Sequence, residues 1–278
     1  MAQSEPYIYR GYRTRTDFLG SIRSLFYLHN ESFNCWSHIL GLPMVLLYVL
    51  EECISPSSNP IMCIYLFGCI WFIFGSSFGH TFCCYDRFTR HVSFTIDYIG
   101  LTIFTCCSGI AYASFSFPLE LQTKPGLFEF SFLETYLIIL SLCSMISIYQ
   151  AVWTRTLPPM SAFASPGLLM SQFIACMASC LFYISRFPEC IYPGKFDYLG
   201  HSHNVFHVGA LLGLHYQKTA LSYDLKFALM NNLASSIPIQ IPLVCLTFLF
   251  LSILVTLMCF RHLFSVKHKA PTYKSKLL

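Results

Sequence analysis

The stretch "IMCIYLFGCIWFIFGSSFGHTFCC", residues 61–84, decides the fold class of this chain. It contains only one ionisable residue of the types His, Asp, Glu, Lys and Arg, which is His80, close to its end. A helix of about 20 apolar residues is long enough to cross the hydrocarbon core of a bilayer, and the run lacks the strict alternation of a transmembrane β-strand. The stretch therefore predicts a transmembrane helix that carries a histidine near one end.

The composition extends this interpretation to the whole chain of 278 residues. It is 55% hydrophobic and 11% charged, whereas about 25% of residues are charged in ordinary globular domains. The sequence predicts an all-α, polytopic membrane helical bundle over 33–260, flanked by an N-terminal segment, 1–32, and a basic C-terminal tail, 261–278. The basic residues lie scattered between apolar runs and the net charge is only +4, so nucleic acid is not an expected partner. The seven predicted transmembrane helices are 33–50, 61–84, 94–117, 132–153, 162–184, 205–221 and 239–260.

The fourteen cysteines do not indicate a disulfide framework. Most of them lie inside predicted spans, for example Cys106 and Cys107, and no C-x-x-C pair occurs. Buried cysteine usually behaves as a small apolar residue. We therefore interpret them as packing residues, with a metal or disulfide role as the less favoured alternative.

Five polar residues at the spans indicate a metal site: Ser76, His80, Asp97, His203 and His207. Ser76 lies one helical turn before His80, and His203 one turn before His207, so each pair shares a helix face. Ionisable groups are costly inside a membrane and usually pair with one another. Three histidines are a common ligand set for Zn²⁺, which leaves a fourth position open. We predict a zinc site formed by His80, His203 and His207, with Asp97 and Ser76 as hypothetical catalytic residues.

Each of these residues also has a plainer interpretation. A histidine near a helix end can hold its polar tip in interfacial water, and a histidine pair four residues apart can arise by chance. Asp97, which is three residues into its run, could be a partner for the dipole at a helix N-terminus. The other histidines have no assigned function, and we expect interfacial or loop positions for His38, His91, His201, His215, His262 and His268.

Ordered motifs along residues 11–221 give the chain a family resemblance. "YRTRTDFLGSIRSLFYLHNESFNCWSHILG" (12–41) resembles the entry to the first span of the progestin and adipoQ receptor family. The S-x-x-x-H, D-Y and H-x-x-x-H motifs of that family match Ser76 to His80, Asp97-Tyr98 and His203 to His207. "FPECIYPGKFDYLGHSH" (187–203) is similar to the family's approach to its last ligand pair, and the chain looks most like the membrane progestin receptor branch.

The resemblance implies a heptahelical-type membrane protein with zinc on three histidines near the cytoplasmic face. The implied function is a membrane receptor for a steroid, progestin-like, or a related lipid. Two other functions stay open. The first is an intramembrane zinc-dependent lipid amide hydrolase resembling a ceramidase, in which Asp97 accepts a proton from metal-bound water. The second is a partner-binding family member without small-molecule function. Whether the chain is an enzyme is left open. The expected partners are the bilayer, the lipid ligand and a signalling protein on the cytoplasmic face, and the expected location is the plasma membrane.

The number of predicted spans conflicts with the predicted metal site. With seven runs, His80 lies on the side of the N-terminus, whereas His203 and His207 lie on the opposite side, about 30 Å away across the hydrocarbon core. The family has one more span in this region. Adding a crossing after Arg155 changes the distribution of Lys and Arg between the two sides from nine against eight to fourteen against three. We therefore predict that one span is missing after Arg155, and that the site forms only if a helix fails to cross or re-enters.

The same charge bias predicts that the N-terminus is cytoplasmic, because four arginines precede the first span. Asn30-Glu31-Ser32 is an N-glycosylation sequon, and we expect it to stay unmodified when the protein is expressed in mammalian cells. Glycosidase treatment followed by gel electrophoresis measures this. A mobility shift that depends on Asn30 would show that the N-terminus faces the lumen.

Overall fold

The computed structural model describes residues 5–115 and 166–230, together with isolated positions between 243 and 258. The described residues form α-helices and one short 3₁₀ helix, Ser24–Phe26, and contain no strand. The described residues up to Met230 belong to one compact unit, residues 1–239. The helices are α1 (Phe18–Arg23), α2 (Ser32–Ile54), α3 (Pro60–Phe82), α4 (Arg87–Phe115), α5 (Pro166–Ser185) and α6 (Ser202–Met230).

Four of these helices are long and apolar enough to cross a membrane: α2, α3, α4 and α5. The protein is therefore an all-α, multi-pass membrane bundle, which confirms the predicted fold class. α4 begins seven residues before the predicted run 94–117, and α6 extends beyond 205–221 at both ends. The predicted span 132–153 lies outside the described residues, and only isolated helical positions are described within 239–260. The hypothesis of a missing span stays a prediction.

Close packing between α3 and α4 depends on glycines on both helices. A Cβ atom added at Gly68 would lie 2.7 Å from Cβ of Cys107, and one at Gly75 would lie 2.9 Å from the carbonyl oxygen of Ile96. On the facing helix, a Cβ atom at Gly100 would lie 2.5 Å from the carbonyl oxygen of Trp71. Small residues of this kind allow membrane helices to approach closely, so that van der Waals contact replaces a hydrophobic driving force.

The helix ends that carry the predicted ligands are fixed by buried polar contacts. The guanidinium of Arg13 donates to the carbonyl oxygens of His80 and Thr81, at 2.6 and 3.0 Å, and so satisfies the free C-terminal carbonyls of α3. The buried Glu189 carboxylate accepts hydrogen bonds from the backbone N–H and the hydroxyl of Ser202, at the N-terminus of α6. A cation at a helix C-terminus and an anion at an N-terminus are both favourable for the helix dipole.

These two ends lie side by side. Nε2 of His203, on the first turn of α6, is 3.3 Å from Nε2 of His80, on the last turn of α3. The two residues are therefore adjacent, although seven crossings would put them on opposite sides of the membrane. The helices between them account for this, because Tyr112 near the end of α4 donates a hydrogen bond to Gln172 near the start of α5. α4 therefore runs away from His80, and α5 runs back. The count of seven spans stays a prediction, since 132–153 lies outside the described residues.

The glycine contacts predict the effect of adding one methyl group. We expect Gly100→Ala to destabilise the bundle by about 1–3 kcal/mol, because its Cβ atom would overlap the backbone of α3. A lower midpoint of thermal unfolding in detergent would measure this. Gly167→Ala on α5 is the matched control, since a Cβ atom there meets nothing within 4 Å. Equal midpoints for the two variants would show that the α3–α4 contact is not close-packed.

Candidate metal centre

Three histidines from two helices converge in the interior. His80, His203 and His207 each offer one ring nitrogen, and these atoms all lie within 4.8 Å of one another. The structure thus brings together the three residues that the sequence analysis named as metal ligands. His80 and His207 are buried, and His203 is partly buried.

The spacing of the ring nitrogens fits a tetrahedral metal ion. The Nε2–Nε2 distance is 3.3 Å between His80 and His203 and 3.2 Å between His203 and His207. Nitrogen ligands about 2.0–2.1 Å from a tetrahedral Zn²⁺ ion lie roughly 3.3 Å apart. Two of the three nitrogen pairs already have this spacing, and the third pair lies within 4.8 Å.

Hydrogen bonds at the other ring nitrogens fix the tautomers of two ligands. Nδ1 of His80 lies 2.8 Å from a carboxylate oxygen of Glu31, which can only accept, so Nδ1 carries the proton. Nδ1 of His207 lies 2.9 Å from the hydroxyl of Ser37, whose own proton is donated to the carbonyl oxygen of Asn34. Both rings therefore present the lone pair of Nε2 toward His203. Nε2 of His203 can satisfy one of these lone pairs when it carries a proton, and a shared cation could bind all three nitrogens.

Glu31 is itself held in its ionised form. It precedes the first residue of α2, and its carboxylate accepts hydrogen bonds from His80 and from the side-chain amide of Asn34 at 2.7 Å. Burial raises the pKa of this carboxyl, but the hydrogen bonds from His80 and Asn34, together with positive charge on His80 and His203, outweigh burial and leave the pKa well below its usual range. A second amide, Asn204 on α6, donates to Asn34 at 2.7 Å and joins α6 to the same network.

Asp97 and Ser76 lie beside the histidines, as the S-x-x-x-H and D-Y motifs indicated. A carboxylate oxygen of Asp97 is 4.0 Å from Nε2 of His80, and Ser76 is buried one helical turn before His80. Asp97 is in the third turn of α4, which begins at Arg87. The alternative interpretation of Asp97 as a dipole partner at a helix N-terminus is therefore wrong.

The remaining histidines fall into different environments. His91 and His215 are exposed on helices, and Nδ1 of His215 is hydrogen bonded to the hydroxyl of Tyr48. His201 lies in the loop before α6, buried against the carbonyl oxygen of Asn30. His38 contradicts its expected interfacial or loop position, because it is buried within α2 with its ring centroid 4.4 Å from that of His207. His262 and His268 lie outside the described residues.

A cavity of about 750 Å³ begins at the metal centre and continues into the bundle. Its walls are mostly apolar, with Phe72, Phe104 and Leu214 among the lining residues. The three histidines lie in its wall, as do Gln172 on α5 and Gln217, ten residues after His207 on α6. Charged side chains such as Glu5 and Arg186 also line it. Cavities of this size are typical of sites for small ligands.

Two sequence comparisons agree with this site. Residues 26–163 and 128–218 match the sequence model of the family described as Haemolysin-III related. The two matched ranges together cover more than half of the chain. The chain belongs to the Haemolysin-III related family. The family assignment covers α2 to α5 and the ligand-bearing turns of α6, and therefore all three histidines.

Named relatives within the Haemolysin-III related family include membrane progestin receptors. The chain is 29% identical over 275 residues to membrane progestin receptor gamma of Mus musculus, covering 84% of this chain and 81% of the relative. It is 28% identical to membrane progestin receptor delta of Homo sapiens, covering 78% and 74% of the two chains. It is also 28% identical to progestin and adipoQ receptor family member 3 of Mus musculus, covering 81% and 83%. The resemblance stated from the motifs is confirmed.

Sequence reasoning missed the residues that orient the ligands. Glu31 and Ser37 lie in the motifs "HNES" and "NCWSH", which carried the resemblance without an assigned role. Glu31 was available as a signal, since a carboxylate directly before an apolar run is a candidate partner for an intramembrane histidine. The position of Ser37 three residues after Asn34 gave no such signal.

The geometry predicts a graded loss of metal. We expect His80→Ala and His207→Ala to abolish stoichiometric zinc in the purified protein, because each removes one of three ligands. Glu31→Ala is expected to weaken zinc affinity about 10- to 100-fold, since it releases the His80 ring but keeps the ligand. Inductively coupled plasma mass spectrometry and competition with a chelator measure both effects. His215→Ala is the control with full zinc, and full occupancy in His207→Ala would overturn the assignment.

Proposed function

We propose that this chain is a membrane receptor for a progestin-like steroid or a related lipid, with a zinc ion bound by His80, His203 and His207. The observation that carries the proposal is the convergence of three histidine nitrogens at the head of an apolar cavity. The relatives support the ligand class, since two of them are named membrane progestin receptors. A plasma membrane location, a cytoplasmic N-terminus and a signalling protein on the cytoplasmic face belong to the same proposal.

The donor set supports zinc more than a harder cation. Imidazole nitrogens suit zinc, whereas calcium and magnesium prefer oxygen ligands. When bound, zinc acts as a Lewis acid toward a carbonyl oxygen or an adjacent water. The chain's own residues do the rest: Glu31 and Ser37 orient the rings, and the apolar cavity wall excludes bulk water from the ligand.

A second function, hydrolysis of a lipid amide, is favoured by one specific contact. The Asp97 carboxylate lies 4.0 Å from Nε2 of His80 and faces the cavity, so it could accept a proton from a water placed between them. Ser76, one turn before His80, could hold the same water or the substrate oxygen. The third interpretation, a partner-binding protein without small-molecule function, has no described contact in its favour.

Metal removal separates the receptor from the hydrolase. We expect purified protein to bind tritiated progesterone with saturation, and to keep at least part of this binding after the zinc is removed by a chelator. The expected result follows because most of the ligand surface contacts the apolar wall and not the metal. Release of fatty acid from a ceramide substrate, lost on zinc removal, would favour the hydrolase, and absence of saturable steroid binding would contradict the receptor.

Asp97 gives a direct test of the hydrolytic alternative. Asp97→Asn keeps the size of the side chain but removes the proton acceptor, while all three metal ligands remain. If the chain is a hydrolase, turnover should fall by 10²-fold or more with zinc content unchanged. Equal turnover in this variant and the wild type would exclude Asp97 as the base. Thr95→Ala, in the same cavity wall, is the control.

A further inference from the structure

Two glutamines that line the cavity belong to a cluster of buried polar residues, here called the amide cluster. It consists of Tyr65 on α3, Ser108 and Tyr112 on α4, Gln172 on α5 and Gln217 on α6. Every member is buried, and Gln172 and Gln217 are only 5% and 1% exposed. No contact of the metal centre involves them, and the motifs that indicated the metal centre do not include them.

Hydrogen bonds within the amide cluster are made by the side-chain oxygen of each glutamine and not by its side-chain nitrogen. Oε1 of Gln217 accepts from the hydroxyls of Tyr65 and Ser108, both at 3.3 Å. Oε1 of Gln172 accepts from the hydroxyl of Tyr112 at 2.5 Å. No hydrogen bond joins Nε2 of either glutamine to another residue in the described ranges 5–115 and 166–230. Each amide therefore has two N–H donors left, and both glutamines line the cavity.

Unused donors in an apolar cavity favour a ligand that accepts hydrogen bonds. A buried amide without a partner loses the hydrogen bonds that water would give it, so an apolar ligand end placed against it is disfavoured. We propose that Nε2 of Gln172 and Gln217 bind an acceptor oxygen at the inner end of an elongated apolar ligand. This inference rests on the proposed function, because it describes another part of the wall of the same cavity.

The distance between the histidines and the two glutamines along the cavity sets the shape of the ligand. Gln217 follows His207 by ten residues on the continuous helix α6, a rise of about 15 Å. A ligand that contacts both sets of residues is therefore elongated and carries one oxygen at each end, with an apolar body between them. A steroid with ketones at both ends has this pattern. An acyl amide does not, because its polar atoms are at one end and its chain ends in a methyl group.

The experiment compares ligands that differ by one oxygen. Three unlabelled ligands compete against tritiated progesterone. They are progesterone itself (pregn-4-ene-3,20-dione, the diketone) and two analogues, one without the 3-ketone and one without the 20-ketone. We expect the wild-type protein to bind the diketone about 10- to 100-fold more tightly than the analogue whose missing oxygen is at the inner end. In Gln217→Leu or Gln172→Leu this ratio should fall toward one, because the donor that recognises the oxygen is gone.

Controls separate recognition from a structural role of the glutamines. Cys180→Ala lines the cavity outside the amide cluster and should keep the wild-type ratio. If the glutamines only join helices, their variants lose stability or affinity for all three ligands equally and the ratio is unchanged, which would overturn the proposal. Equal affinity of the wild-type protein for the diketone and both analogues would also overturn it, and this measurement needs no variant.

A second ligand pair distinguishes this inference from the receptor function. If no steroid binds, palmitic acid is compared with 16-hydroxypalmitic acid, which adds an oxygen at the end of the chain. Preference for the hydroxylated acid that is lost in Gln217→Leu would support the amide cluster as an acceptor site while the steroid receptor fails. No preference in either ligand pair would reject the inference.

Discussion

The hydrogen bond between Nδ1 of His80 and the Glu31 carboxylate is the contact on which the metal centre depends. It is 2.8 Å long and joins the start of α2 to the end of α3. Because the carboxylate can only accept, the proton is held at Nδ1 and the Nε2 lone pair is turned into the bundle. Asn34 donates to the same carboxylate and accepts from Asn204, so the orientation of His80 is coupled to the position of α6.

Helix α6 buries several polar residues and exposes several apolar ones. His207, Gln217 and Asp224 are buried, whereas Val208 and Leu212 are more than 40% exposed. Exposed apolar side chains suit a helix that contacts lipid, and buried polar ones suit a helix that faces a cavity or a partner. The polar residues also explain why α6 is not among the four helices that length and hydropathy identify as spans. His207 and Gln217 both line the cavity.

The sequence predicted the fold class and singled out the three histidines that converge, because both depend on local patterns. Apolar runs without charge predict membrane helices wherever they occur, and a histidine in such a run is conspicuous. The contacts that complete the site were not predictable in the same way. Ser37 orients His207 across 170 positions of sequence, and Arg13 reaches the end of α3 across 67 positions. Nothing in either local sequence shows which distant group is the partner.

The count of crossings shows a different limit. Counting apolar runs assigned His80 and His203 to opposite sides, and one span more or fewer between them would reverse that assignment. The three-histidine motif carried the opposite information, because a shared ion requires its ligands within a few ångströms. The structure agrees with the motif, and the fourteen-to-three distribution of Lys and Arg pointed the same way. A requirement of chemistry was therefore a better guide to topology than hydropathy.

The two carboxylates beside His80 set the charge that the metal centre can hold. Three imidazoles are neutral as ligands, so a bound zinc dication would leave two positive charges in a medium of low dielectric constant, where an unpaired charge is costly. Among the described residues, two carboxylates lie beside the two ring nitrogens of His80. Glu31 is 2.8 Å from Nδ1, and Asp97 is 4.0 Å from Nε2. Both ionised, they balance the dication. Asp97 is therefore useful in a receptor that catalyses nothing, and its presence alone does not favour the hydrolase.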